Sequence, residues 1–278
     1  MSDLSPEAVR DGHLFRCSLP MRVKLDRIGR AVGPTHGMTC LEVGFDNGIM
    51  SYHMRQNGGT WHTVTTSEAA ARSARDWAGD NVHVLKRGAL PFKKKDFDIV
   101  VAADMLERVE NPAAFIADCH RLMKPDSRLV LTAANRKKWT LMRLLRNALA
   151  SPGYESRQES KYPGFTETEL FGLLKDGFDL HGMHKYRGFF VEAVNLILQA
   201  MIRRRAQHDE LAGMRLHSMA KPFFFLAAQL DMLLFFVRGH CLLAVAKRRP
   251  WLPRKTPVLT DGRSIPEAVL NTLGSDLQ

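Results

Sequence analysis

A short glycine-rich loop, LEVGFDNG at residues 41–48, combines residue types and a spacing that could bind a charged ligand. A dinucleotide site would need glycine at three positions, which are occupied here by Gly44, Asp46 and Ile49. Glycine at these positions lets backbone amides meet a pyrophosphate. Only Gly44 meets that need, and a carboxylate at Asp46 would repel phosphate. The loop is therefore a poor site for a dinucleotide.

The same loop suits a cationic ligand. Glu42 ends the preceding apolar run and Asp46 lies in the turn, while Gly44 and Gly48 let the backbone approach a ligand closely. S-adenosylmethionine carries a sulfonium and an ammonium but no phosphate, so nearby carboxylates favour it. In the alternative interpretation, Asp46 or Asn47 is simply the N-cap of the following helix.

Strand and helix patterns alternate around this loop. Five apolar runs predict strands, at residues 38–43, 60–66, 81–85, 97–103 and 128–134. A sixth strand is predicted at 178–186, after a helix that begins with a capping box of Thr166 and Glu169. This alternation predicts a doubly wound α/β sheet, which binds ligands at the carboxyl ends of its parallel strands.

Several motifs follow one another in a familiar order. The segments LPF, FDIVV, DMLERV and RLMKP come after LEVGFDNG, and GFTETELFGLLKDGFDL comes after them. In order and spacing, this stretch from Met38 to Tyr186 resembles the class I S-adenosylmethionine-dependent methyltransferases. The resemblance implies methyltransferase activity and a seven-stranded Rossmann-like sheet whose last strand is antiparallel.

The resemblance also implies the site residues, with S-adenosylmethionine as the cofactor and no metal. The expected cofactor contacts are Glu42, Gly44, Phe45, Asp46, Gly48, Thr65, Thr66, Gly88, Ala89, Leu90, Ala103, Asp104 and Met105. Asp104, after the fourth strand, and Tyr162, before the capped helix, are the candidate catalytic residues that could face the methyl acceptor.

Two polar anchors of the family are altered. Thr65 replaces the acidic residue that ends the second strand, with Glu68 three residues on, and the acidic residue before LPF falls near Lys86 and Arg87. Either the site binds the cofactor through backbone, apolar and threonine contacts, or it is degenerate and the protein is a catalytically inactive scaffold. We favour the working site because the glycine-rich loop is intact.

The seventh strand is expected at 240–249, about fifty residues after the sixth, so a segment is inserted between them. The expected organisation has five parts: an N-terminal helical cap at 1–36, a cofactor-binding domain at 37–187, a helical insertion at 188–239, the last strand at 240–249 and a C-terminal tail at 250–278.

The insertion is apolar and its surroundings are basic. Between His181 and Lys255 there are 13 Lys and Arg against 4 Asp and Glu, a net charge of +9 out of the chain's +11. The apolar run of 16 residues from Pro222 would form a helix of about 24 Å, shorter than a hydrocarbon core of about 30 Å. The insertion is either a buried helical subdomain or, in the interpretation we favour, a pair of helices lying on an anionic membrane.

A methyltransferase at a membrane implies an acceptor with a lipid tail, such as a quinone precursor, a phospholipid or a polyprenyl-linked sugar. Nucleic acid is the alternative acceptor that positive charge suggests. It is disfavoured because the fourth strand ends in AADM and lacks the Asn/Asp-Pro-Pro-aromatic motif.

The N-terminus shows no secretory signal, and the four cysteines have no paired spacing. We expect a cytoplasmic protein peripherally associated with the cytoplasmic membrane face. The apolar insertion could equally form the face of a homodimer.

Overall fold

The computed structural model of the 278-residue chain describes most of the predicted elements. The described residues are 5, 9, 12–13, 15–16, 18–44, 48–86, 88–93, 96–136, 162–186, 188–205, 216, 219–233 and 239–252. Most of the expected C-terminal tail lies outside them, as do Phe45 and Asp46 of the glycine-rich loop.

A seven-stranded sheet organises the protein. Its strands are β1 (Thr39–Val43), β2 (Thr60–Thr65), β3 (Val82–Val84), β4 (Phe97–Ala103), β5 (Met123–Ala134), β6 (Phe178–Tyr186) and β7 (Cys241–Arg248). They lie in the order β3-β2-β1-β4-β5-β7-β6, and β7 runs antiparallel to both of its neighbours. The predicted doubly wound sheet with an antiparallel last strand is confirmed. Its strand order reverses between β1 and β4, where ligands bind in such sheets.

Seven helices are described around the sheet. They are α1 (Leu19–Val32), α2 (Ile49–Arg55), α3 (Glu68–Ala78), α4 (Pro112–Leu122), α5 (Glu167–Leu174), α6 (Phe189–Arg205) and α7 (Lys221–Leu233). The predicted capping box is present at the start of α5, where Thr166 and Glu169 each accept a backbone N–H from the other. Ser67 caps α3 and Asn111 caps α4, each by accepting one backbone N–H through its side-chain oxygen.

The central strands are buried on both faces, as the continuous apolar run of β4 predicts. Val100 packs into one apolar cluster, with residues of α4 and α5, while Ile99 and Val101 pack into another, with residues of α1 and α2. Helices therefore cover both faces of the sheet. The carboxyl ends of the parallel strands, called here the sheet edge, are left as the place for a site.

Strand β5 is longer than the pattern indicated. The sequence predicted a strand from Arg128, whereas β5 begins at Met123, which pairs with Phe97 of β4. Lys124 donates to both carboxylate oxygens of Asp98 at 2.8 and 2.9 Å. This extension depends on cross-strand contacts, so the polar residues at its start carry no local strand pattern.

Helices α6 and α7, called here the helix pair, come between β6 and β7 in the sequence and share an apolar core. The buried carboxylate of Asp231 on α7 accepts the backbone N–H groups of Phe190 at 2.8 Å and Val191 at 2.9 Å. A Cβ on Gly188 would lie 2.0 Å from Asp231 Cγ, so glycine is needed there. The end of α7 is thereby fastened to the start of α6.

No described helix has both the length and the hydropathy needed to cross a membrane.

Replacing Asp231 with alanine should destabilise the helix pair. Two buried N–H groups lose a charged acceptor, so we expect the free energy of unfolding to fall by about 2 kcal/mol. Urea denaturation followed by circular dichroism measures this. The control is Gln229→Ala, an exposed position on the same helix, where the change should stay within about 0.5 kcal/mol. Equal changes in the two variants would show that Asp231 does not hold the helices together.

Candidate active site

Three strands bring predicted site residues to one level of the sheet edge. Val43, the last residue of β1, pairs with Val64 on one side and with Ala102 on the other. The residues that come next are Gly44, Thr65 and Ala103, and all three were predicted to contact the cofactor. Gly44 N also donates to the Val64 carbonyl at 3.1 Å, which holds the start of the loop against β2.

A buried carboxylate lies under the start of the glycine-rich loop. Glu42 is fully buried, and a Cβ on Gly44 would lie 2.1 Å from its Oε1 atom. Gly44 is therefore required by the position of Glu42. Burial lowers the pKa of the Arg55 guanidinium on α2, and the charge of Glu42 opposes that shift. Sequence reasoning missed Arg55, because no motif contains it.

This arrangement fits a cationic cofactor. The Glu42 carboxylate takes the place where a Cβ on Gly44 would lie, so a sulfonium or ammonium group near the start of the loop would be attracted to its negative charge.

Gly48 has a packing role at the start of α2. Its φ is +87°, and a Cβ there would lie 2.7 Å from the Cα of Ala74 on α3. The glycine lets the start of α2 pack closely against α3. It also occupies the N-cap position of α2, so the interpretation that Asp46 or Asn47 is that N-cap is wrong.

The two threonines at the end of β2 differ in exposure. Thr65 is buried, and its hydroxyl donates to the Ser67 carbonyl at 3.2 Å, at the turn into α3. Thr66 and Glu68 are exposed at the same edge of the sheet. Of these residues, Thr66 and Glu68 have side chains open to a ligand.

The segment after β3 forms a tight turn. Lys86 and Ala89 exchange two backbone hydrogen bonds of 3.1 and 2.9 Å, and Gly88 between them has a φ of +80°. Gly88 and Ala89 are exposed. Leu90 is buried, and its N–H donates to Asp118 Oδ2 on α4 at 3.3 Å. The turn thus presents small residues to solvent beside β2.

Asp104 is the most strongly constrained residue of the edge. Its φ is +51°, a conformation that non-glycine residues seldom adopt. Thr132 on β5 donates through its hydroxyl to Asp104 Oδ1 at 2.7 Å, and its carbonyl accepts the Asp104 N–H at 3.1 Å. The other carboxylate oxygen, Oδ2, forms an ion pair with Lys24 Nζ at 2.7 Å. The Asp104 side chain remains 39% exposed, so it is accessible from the edge.

Lys24 comes from α1, which the sequence placed only in an N-terminal helical cap. No pattern connected it with Asp104, which is 80 residues away along the chain. The flanking predicted residues Ala103 and Met105 are both buried beneath the edge.

Glu107, three residues after Asp104, is a second carboxyl group that the sequence did not single out. Its Oε1 accepts the Ala134 N–H, while its buried Oε2 has no hydrogen-bond partner among the described residues. Burial, followed by the nearby charge of Asp104, raises the pKa of Glu107 to about 7. Its place in DMLERV, one turn after Asp104, was the available signal, but its burial was not visible in the sequence.

Tyr162 connects two segments at this edge. Its backbone N–H donates to the Glu107 carbonyl at 3.1 Å, and its hydroxyl donates to the Glu110 carbonyl at 2.9 Å. These bonds hold the start of the α5 segment against the loop after β4. A direct role of Tyr162 toward the methyl acceptor stays a prediction. Among the described residues, no group of three or more His, Cys, Asp or Glu side chains could hold a metal ion.

Comparison with known proteins defines the class of the domain. Residues 41–131 match the family described as "Methyltransferase domain". Together with the strand order and the reversed position of β7, this match shows that the chain carries a methyltransferase domain with the class I, S-adenosylmethionine-dependent fold.

Among curated proteins, the chain is similar to the ubiquinone biosynthesis O-methyltransferase of Pseudomonas paraeruginosa. The two are 34% identical over 131 residues, which covers 42% of this chain and 52% of that protein. The chain thus spans about half the length of the curated relatives it matches.

Two solved structures share the fold at low sequence identity. Geranyl diphosphate C-methyltransferase from Streptomyces coelicolor A3(2) matches with a TM-score of 0.53 and 12% identity, over 82% of this chain and 76% of that one. Phosphoethanolamine N-methyltransferase 2 from Haemonchus contortus matches with a TM-score of 0.52 and 14% identity, over 82% and 52%. At these identities the similarity establishes the fold alone.

The raised pKa of Glu107 predicts how stability depends on pH. The folded protein holds a proton on this group up to about pH 7, whereas the unfolded chain releases it near 4.5. The stabilisation from Glu107 is therefore complete below about pH 4.5 and is lost as the pH rises through about 7. The Glu107→Gln variant keeps an acceptor for the Ala134 N–H and does not titrate.

Relative to the wild type, the free energy of unfolding of Glu107→Gln should rise by about 3 kcal/mol between pH 4.5 and pH 8. Urea denaturation across this range measures the difference. The control is Glu110→Gln, an exposed position on the same loop, whose free energy of unfolding should stay within about 0.5 kcal/mol of the wild type. A flat difference for Glu107→Gln would show that its carboxyl ionises normally.

Proposed function

We propose that the protein is an S-adenosylmethionine-dependent methyltransferase that methylates a hydrophobic, quinone-related acceptor at the cytoplasmic membrane surface. The observation that carries the cofactor part is the buried Glu42 carboxylate packed against Gly44 at the start of the glycine-rich loop, within a matched methyltransferase domain.

The residues that would hold the cofactor come from three strand ends. Glu42 and Gly44 would receive the cationic end, Thr66 and Glu68 would face the ribose, and the turn at 88–89 would lie beside the adenine. When bound, the cofactor supplies a methyl group on a sulfonium, which the acceptor attacks in line. The protein would align the cofactor with the acceptor and place carboxylates near the positive charge of the cofactor.

The acceptor would be held at the ends of β4 and β5. Asp104 is fixed from two sides by Thr132 and Lys24 and is still partly exposed, so it could orient an acceptor hydroxyl or accept its proton. Glu107 lies three residues after Asp104. Because burial raises its pKa to about 7, it could act as a second group that holds a proton at neutral pH. Proton transfer matters only if the acceptor is methylated on an atom that must lose hydrogen.

The similarity to ubiquinone biosynthesis O-methyltransferases supports a quinone-related acceptor. The surface of the helix pair supports a hydrophobic one. Large apolar side chains on it are exposed, namely Ile197, Met201, Phe223, Phe225, Leu226, Leu230 and Met232. An apolar surface of this kind, in a part of the chain with a net charge of +9, suits adsorption to an anionic bilayer.

Calorimetric titration with S-adenosylmethionine tests the cofactor site. The wild type should bind with micromolar affinity, and Gly44→Ala should bind at least about tenfold more weakly, because the new methyl group displaces the Glu42 carboxylate. The matched control is Gly172→Ala on α5, where a Cβ meets nothing within 4 Å, and its affinity should equal that of the wild type.

Glu42→Gln, which keeps the shape and removes the charge, should weaken binding in the same direction. If the folded wild type fails to bind the cofactor, the altered anchors have disabled the site, and the scaffold alternative becomes the better account.

Flotation with anionic phospholipid vesicles tests the membrane part. The wild type should float, and Phe225→Asp with Met232→Asp should lower the floated fraction at least about tenfold, since two apolar side chains no longer enter the bilayer. The control is Phe171→Asp on α5, which is also exposed but lies outside the helix pair. Wild-type protein that stays with the soluble fraction would rule out the membrane proposal and leave the cofactor result intact.

A further inference from the structure

The helix pair contains an apolar groove of about 320 Å³. Its floor includes the buried side chains of Leu198 on α6 and Ala220 at the start of α7. Its rim is formed by Ile197 and Met201 on one side and by Met219 and Phe223 on the other. We propose that this groove binds the hydrocarbon tail of the methyl acceptor, an inference that rests on the proposed function.

The lining of the groove selects the chemistry of its occupant. Every side chain that lines it among the described residues is apolar, so a polar group placed there would lose its hydration without gaining a hydrogen bond from them. The volume lies at the lower end of the range for ligand pockets, about 300–1,000 Å³. Such a groove suits a segment of flexible hydrocarbon chain and excludes a nucleotide or a sugar.

Helix α1 connects the groove with the acceptor end of the active site. Leu19, at its start, packs against the apolar core of the helix pair. Lys24, five residues later, forms the ion pair with Asp104. At 1.5 Å per residue the two positions are separated by about 7.5 Å along the helix axis. A single acceptor could therefore place its head group at Asp104 and its tail along the helix pair.

The residue two positions before β7 is joined to the end of β5. The side chain of Asn135, one residue after β5, donates to the Gly239 carbonyl at 2.5 Å, between α7 and β7.

Two other occupants fit the groove less well. A second copy of the chain would bring two regions of strong positive charge together, which would repel each other. The bilayer would be met by the outer side chains, among them Phe225 and Met232, which do not line the groove. A tail bound between the helices is compatible with that membrane contact.

A matched pair of variants separates tail binding from membrane contact. Phe223 and Phe225 lie on the same helix and are 63% and 68% exposed, but only Phe223 lines the groove. The probe is dansyl-labelled farnesol, a prenyl chain whose emission rises on entering an apolar site, titrated without vesicles. The wild type should bind it, Phe223→Asp should bind at least about tenfold more weakly, and Phe225→Asp should stay within about twofold of the wild type.

Titration of each variant with S-adenosylmethionine keeps this result distinct from the fate of the proposed function, because no residue that lines the groove belongs to the cofactor loop. Equal losses in the two variants, or no farnesol binding by the wild type, would overturn the proposal. So would unchanged farnesol binding in a Phe223→Asp variant that turns a dimer into a monomer, since the groove would then be a subunit interface.

Discussion

Strand β1 is hydrogen-bonded in parallel to β2 on one side and to β4 on the other, and this pairing sets the position of every residue in the candidate site. Because Val43 is in register with Val64 and Ala102, the chain leaves all three strands at the same level. Gly44, Thr65 and Asp104 thereby become neighbours although the sequence separates them widely. Helices on both faces leave this edge as the accessible end of the core.

Acidic side chains gather at this edge although the protein as a whole is basic, and two of them lie beside cationic side chains. The chain has a net charge of +11, yet carboxyl groups at Glu42, Asp104 and Glu107 gather at the ends of β1 and β4. Arg55 and Lys24 approach the first two of these groups from the helices. A cationic cofactor and a neutral acceptor are compatible with such an edge, whereas a polyphosphate is not. In the proposed function, the basic residues of the C-terminal part would meet an anionic surface.

Helix α1 joins these two regions of the molecule. It contributes Lys24 to the acceptor end of the site and Leu19 to the core of the helix pair, while the Asp231 carboxylate fastens α7 to the start of α6. The active edge and the apolar surface are thus parts of one packed structure. This packing explains how a lipid-like acceptor at a membrane could reach a site built on the sheet.

The sequence by itself determined the elements and their order. Apolar runs predicted the parallel strands, a capping box predicted the start of α5, and the glycine-rich loop predicted a site for a cation, because each of these signals is local. Tertiary structure alone decided the Lys24–Asp104 pair, the burial and raised pKa of Glu107, and the packing role of Gly48. These depend on contacts between residues distant along the chain, and a single sequence carries no local pattern for such contacts.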